Sequence, residues 1–245
     1  MIPIRHAPQA SENEELKELT PQEGETNSQW LARVNAQDGL LLLGGNALAH
    51  FRIRVAQSHL RQDLLPSFWS FAGILDGSVI HSAPLDGLGD ASLVPVNNGV
   101  QECPLSDYDD PERFPNIAIL YFAKDPAAIR GYVDEVRSQR ALVDLPSLML
   151  KWLGFVWGAG QPGNPLQEGH GLPSAAFVET VYGIGRIDLT PGLSSSSSCP
   201  EAIWQAAKWW RRYYVETATP ETQHEAAAPS GFYWIRQPAA FAVEH

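Results

Sequence analysis

The sequence predicts an α+β fold in which an antiparallel sheet packs against helices. Two strand-like runs, residues 69–75 and 78–83, flank Asp76-Gly77. That pair suits a two-residue type I′ turn, whose central positions both need positive φ. The run Asn116-Ile-Ala-Ile-Leu-Tyr-Phe is almost continuously apolar, as a strand buried on both faces should be. Segments opening at Asp125-Pro126, near Ser147, near Ser174 and at Pro200 keep helical spacing of their apolar residues.

Composition narrows the function classes. A chain of 245 residues implies one or two domains, and a 44% hydrophobic content with 8 Trp, 7 Tyr and 9 Phe supplies a sizeable core. The net charge of −11, with no basic stripe carrying interleaved aromatics, argues against nucleic-acid binding. Two cysteines, Cys103 and Cys199, make no disulfide framework and no metal-site spacing, and whether they pair is open. No cofactor motif is present: there is no Walker loop, and Gly183-Ile-Gly185 follows no strand. The N-terminus lacks an apolar signal core, and the run at 40–43 is too short to span a bilayer, so no transmembrane segment is expected. Cytoplasmic is the default location, with export by a signal-independent machine left open.

Taken in order, residues 1–28 read as an acidic, disordered tail, with Glu12, Glu14, Glu15, Glu18, Glu23 and Glu25 and few large apolar side chains. The globular part spans 29–217. Within it, 40–43 is a strand ending at Gly44-Gly45, and 47–58 alternates as a second strand with Phe51, Ile53 and Val55 on one face. Residues 85–98 form a loop, 99–105 a short strand, and Asp107, Asp109, Asp110 and Glu112 an acidic turn without the ligand spacing of a calcium loop. Asp125 caps a helix with Pro126 at its first position. Residues 147–157 are apolar nearly all round and should be buried. A flexible loop at 158–165 leads to a short buried helix whose face is Phe177, Val178 and Val181, stopped by Gly183 and Gly185. The five serines at 194–198 read as a mobile, low-complexity loop. The last strong helix runs from Pro200 to Glu216, with Ile203, Ala206, Ala207, Trp210 and Tyr214 on one face and Lys208, Arg211 and Arg212 elsewhere. Residues 218–245 are a C-terminal extension, of which 232–235 is apolar enough to pack back.

Four pieces in a fixed order carry a family resemblance. Ser174-Ala-Ala-Phe-Val-Glu resembles the Cys-Ser-x-Phe-Val segment of the NlpC/P60 superfamily, in its circularly permuted branch with the lecithin:retinol acyltransferase-like proteins. The hairpin Trp69-Ser-Phe-Ala-Gly-Ile-Leu, Asp-Gly, Val79-Ile-His-Ser-Ala-Pro is similar to that branch's Ser-His-x-Gly-Ile-x-Leu, turn, Val-Ile-Glu/His unit. The segment Asn98-Gly-Val-Gln-Glu-Cys-Pro-Leu resembles its Gly-Val-x-x-x-Pro-Leu strand, and Thr190-Pro-Gly its closing segment. The resemblance covers roughly residues 40–214 and implies a papain-like fold.

It also implies a catalytic trio that this chain alters. The nucleophile position holds Ser174 in place of cysteine, the general-base position holds Phe71 in place of histidine, and the orienting position holds His81. Serine gains little from a helix N-terminus, because its hydroxyl is far from ionising and needs a positioned base. Phe71 accepts no proton, and its neighbours Ser70 and Ala72 offer no base either. His81, or His170 four residues before Ser174, would have to serve. Each residue also has a structural reading: Ser174 as a helix-start hydroxyl on a free N–H, His81 as a hydrogen-bonded strand histidine, His170 as an exposed loop residue. Phe68 and Phe71 around Trp69 read as an apolar wall. Two functions follow: a catalytically impaired binding or assembly module, taking a protein partner or a small apolar ligand, or a hydrolase or acyltransferase on an amide, peptide or lipid ester with Ser174 as nucleophile.

Overall fold

Four consecutive leucines decide where the sheet sits. In strand β2 (Asp38–Gly44), Leu40 and Leu42 enter one hydrophobic cluster, Leu41 and Leu43 enter another, and all four are fully buried. A strand buried on both faces needs an unbroken apolar run and belongs inside a covered sheet. β2 is accordingly the central strand of a seven-stranded sheet ordered β1-β7-β6-β2-β3-β4-β5. The other strands are β1 (Lys17–Glu18), β3 (Phe71–Asp76), β4 (Val79–Ser82), β5 (Gln101–Pro104), β6 (Asn116–Tyr121) and β7 (Ser230–Ile235). Every pairing is antiparallel except the parallel β1–β7 edge, so the sheet is mixed. The structure, a computed structural model, describes residues 16–85, 96–122, 125–160, 162–217 and 228–236.

Six α-helices among the described residues complete the α+β architecture: α1 (Asn27–Arg33), α2 (Leu48–Ala56), α3 (Pro126–Ser138), α4 (Leu145–Trp157), α5 (Pro173–Ile184) and α6 (Pro200–Glu216). Helices α2 to α6 contribute to the cluster on one sheet face, with Ala72, Ile74, Ala118 and Leu120 beneath them. Trp30 and Leu31 of α1 cover the other face, above Phe71, Leu75, Ile117 and Ile119. Asp125 caps α3 through the Ala127 amide, 3.0 Å, with Pro126 at the first helical position.

Several expectations are corrected. Residues 47–58 are mostly the helix α2, not a strand. Its buried side is largely polar, with His50, Arg54 and Gln57, so apolar spacing does not mark it. Arg54 Nε donates to Ser67 O at 2.6 Å, Gln57 Nε2 to Trp69 O at 2.8 Å, and Gln57 Oε1 accepts from Glu201 N at 2.9 Å. The hairpin loop is Gly77-Ser78, since Asp76 pairs with Val79. Gly77 has φ +61° and Ser78 has no positive φ, the pattern of a type II′ turn. Helix α4 is buried on one side only, and Leu150 and Trp157 are exposed. The serine run is pinned: Ser198 is fully buried and its carbonyl accepts from Leu172 N at 2.8 Å. Lys208 is buried with the apolar side of α6. Cys103 and Cys199 are not joined in a disulfide and lie in clusters on opposite faces of the sheet.

Both termini of the globular part extend further than composition suggests. Residues 16–28, assigned by composition to the tail, hold β1, the buried Leu16 and the capping box of Thr26 and Gln29. Trp30 Nε1 donates to Leu19 O at 2.8 Å, and Leu19 N to Tyr233 O at 2.9 Å. The rest of the tail, residues 1–15, lies outside the described residues. The extension supplies β7, which sits between β1 and β6. A chain ending at residue 217 is therefore expected to lose its cooperative thermal transition and near-ultraviolet dichroism. A sharp transition retained in that truncation would show β7 to be dispensable.

Candidate functional site

Helix α5 carries the serine singled out by the sequence. Pro173 opens it and Leu172 is its N-cap, with no side-chain cap bond, so Ser174 occupies the second helical position. Every residue from Pro173 to Tyr182 is buried. The hydroxyl of Ser174 does not cap its own helix. Its Oγ accepts a hydrogen bond from the backbone amide of Ala72 on β3, 3.3 Å away. The reason lies in the sheet. The β3–β4 ladder begins at Asp76↔Val79 and ends at Ile74↔His81, so Ala72 lies beyond its last pair. Two serines satisfy its backbone: Ser174 takes the N–H, and Ser82 Oγ donates to the carbonyl at 2.6 Å.

The three other candidate positions do not gather around Ser174. Phe71 sits on the opposite face of the sheet, 5.0 Å from the Tyr108 ring, and Phe68 and Trp69 belong to the cluster on the α5 side. The apolar wall read from the sequence is thus divided between two faces and fully buried. Ala72, not Phe71, is the β3 residue that meets Ser174, and its methyl side chain offers no base. His170 turns to α4, where its Nε2 is 2.7 Å from Lys151 Nζ. His81 pairs with Ile74 and Glu102, on the α5 side of the sheet. Its Nε2 is 4.0 Å from Asp76 Oδ2, and its Nδ1 is buried without a partner. Burial holds the imidazole below its ordinary pKa, against the opposing pull of the Glu102 and Asp76 charges. Among the described residues no hydrogen bond joins Ser174 to a histidine.

One turn and a half along α5, Glu179 is 4% exposed. It accepts from Thr190 Oγ1 at 2.6 Å and Ser198 Oγ at 2.9 Å. Burial pushes its pKa up to about 7, more than the two hydroxyls pull it down. Glu179 is a buried clamp on the closing loop, and sequence reasoning did not single it out. Cys199, next to that clamp, is also buried, and desolvation pushes its thiol up to about 12, which leaves it inert.

The other end of α5 opens on a cleft of about 430 Å³, solvent included, between the start of β2, the end of β3 and the start of α3. Asp38, Asp76, Tyr121, Phe122, Arg130 and Tyr182 contribute to its lining. None of these stood out in the sequence, because the residues come from separate elements and join only through strand register and helix docking. Among the described residues no three His, Cys, Asp or Glu side chains are grouped to hold a metal ion, and no helix is long and apolar enough to cross a membrane. Comparison with family models, curated proteins and solved structures returns no match.

Replacing Ser174 with Ala strands a buried amide, so Ser174→Ala is expected to lose about 1–3 kcal/mol in urea unfolding. An unchanged midpoint would show that the Ala72 amide finds another acceptor. Glu179 sets a pH dependence. Its unfolded value is 4.5 and its folded value about 7, so the folded state prefers the protonated acid. Its contribution is fully present below about 4.5 and fades as pH rises to about 7, by at most about 3 kcal/mol. Melting temperatures measured across that window should fall in the parent chain and flatten in Glu179→Gln.

Proposed function

We propose that this chain is a papain-like scaffold, resembling the permuted NlpC/P60 domain, that works as a non-catalytic binding or assembly module. One observation carries the reading: the hydroxyl at the nucleophile position is buried and engaged by the Ala72 amide, with no base bonded to it. A serine nucleophile needs a base within about 2.6–3.2 Å to take its proton. Here the facing strand residue is alanine, and the histidine four residues away is engaged by Lys151. Docking of α5 along β3, with its first turn against Ala72, is the arrangement that a helix–strand catalytic core would use, and it supports the scaffold half of the reading.

A second reading has one observation in its favour. His81 lies on the α5 side of the sheet with a buried, unpartnered Nδ1, so a hydrolase or acyltransferase with Ser174 as nucleophile would draw on that imidazole. A fluorophosphonate probe separates the two. The binding module is expected to show no labelling that depends on Ser174. Labelling of the parent chain that vanishes in Ser174→Ala would establish the hydrolase and sink the module.

A further inference from the structure

We propose that the cleft at the C-terminal end of α5 binds a small organic ammonium ion, with the cationic head at Asp38 and the apolar body against Phe122 and Ile129. This deepens the binding-module reading and rests on it. Asp38 and Asp76 are directly paired across β2 and β3, so their carboxylates project from one face. Like charges placed directly opposite destabilise a sheet. Arg130 Nε lies 3.3 Å from Asp76 Oδ2 and offsets one of the two. Asp38 has no cation and no hydrogen-bond donor for its side chain among the described residues. The nearest imidazole, His81, is held towards its neutral form by burial. Among the described residues one negative charge is therefore left over at the cleft.

The groups around that charge suit a cation. Burial, and then the Asp38 charge itself, raise the pKa of the Tyr121 hydroxyl to about 12 and move that of Tyr182 the same way. Both phenols stay neutral and keep oxygen lone pairs for an ammonium N–H. Tyr182 is 3% exposed, yet its hydroxyl has no hydrogen-bond partner among the described residues, and it lines the cleft. That oxygen is free to accept from a ligand N–H. The Phe122 and Tyr182 rings stand edge to face, 5.5 Å apart, and supply aromatic surface beside the carboxylate. Gly39, at φ +133°, lies under the cleft. A Cβ there would come within 3.0 Å of Leu120 O and 3.2 Å of Tyr121 Cε1, so glycine is what lets β2 lie this close to the Tyr121 ring. An anionic ligand would meet Asp38 unopposed, because the cleft's arginine is already held by Asp76.

Isothermal titration of the full chain at neutral pH with benzylamine, benzyl alcohol and phenylacetate tests this. Benzylamine is expected to bind saturably, benzyl alcohol at least about tenfold more weakly, and phenylacetate not at all, since about 1.4 kcal/mol of charge attraction is a factor of ten. Asp38→Asn should weaken benzylamine by a similar factor without lowering the melting temperature, because it relieves the facing carboxylates. Should that variant fail to fold, the amine-to-alcohol ratio on the unaltered chain still decides. Equal binding of amine and alcohol, preference for phenylacetate, indifference to Asp38→Asn, or no saturation up to about 10 mM would each overturn the proposal. Failure here with Ser174 unlabelled removes only the ligand class. Ser174-dependent labelling would overturn the module reading itself, whatever the titration gives.

Discussion

A buried helix needs partners for the polar groups it carries away from solvent, and α5 meets that need at three side chains. Ser174, Glu179 and Thr180 all lie in its buried stretch. Leaving any of them unmatched would cost more than a hydrogen bond normally contributes. Thr180 turns back on its own helix, to Ala176 O at 2.7 Å. Ser174 is matched by the end of the β3–β4 ladder, and Glu179 by two hydroxyls of the closing segment. That second match orders the chain just before α6, whose first turn then meets α2 through Gln57 and Glu201. The sheet, α5, the serine run and α6 are thus linked through Ser174, Glu179 and Gln57.

What the sequence disclosed follows from the same physics. β2 and β6 were legible because two-sided burial forces a continuous apolar run, and α3 and α6 because an amphipathic helix repeats its apolar positions. Helix α2 was not legible. Its inward side carries His50, Arg54 and Gln57; Arg54 and Gln57 donate to the Ser67 and Trp69 carbonyls, Gln57 also accepts from the Glu201 amide, and no hydrophobic period records that. β1 and β7 were missed as sheet members because their pairing joins chain segments more than two hundred residues apart (Lys17 lies opposite Phe232).

The candidate site shows how little separates a motif position from a place in space. On a strand, successive side chains point to opposite faces, so an assignment wrong by one residue puts the side chain on the wrong side of the sheet. The motif led to Phe71, whereas the residue beside Ser174 is Ala72. Phe71 packs with Tyr108, which itself packs on Phe114, behind the sheet, where a base would be of no use. The partner of Ser174 is a backbone amide, which no side-chain pattern can announce.

The two ends of α5 differ in how completely their polarity is met. At the N-terminal end the ladder's loose amide and carbonyl are both taken by serines. At the C-terminal end a carboxylate faces another carboxylate, one arginine serves only the second, and the Tyr182 hydroxyl has no hydrogen-bond partner among the described residues. Sequences under selection for stability alone would convert Asp38 to a neutral residue at little structural cost, because the side chain makes no hydrogen bond among the described residues that its loss would break. The unmatched carboxylate at the cleft lies about 12 Å along the helix from the serine, so the two ends of α5 are separate places with separate chemistry.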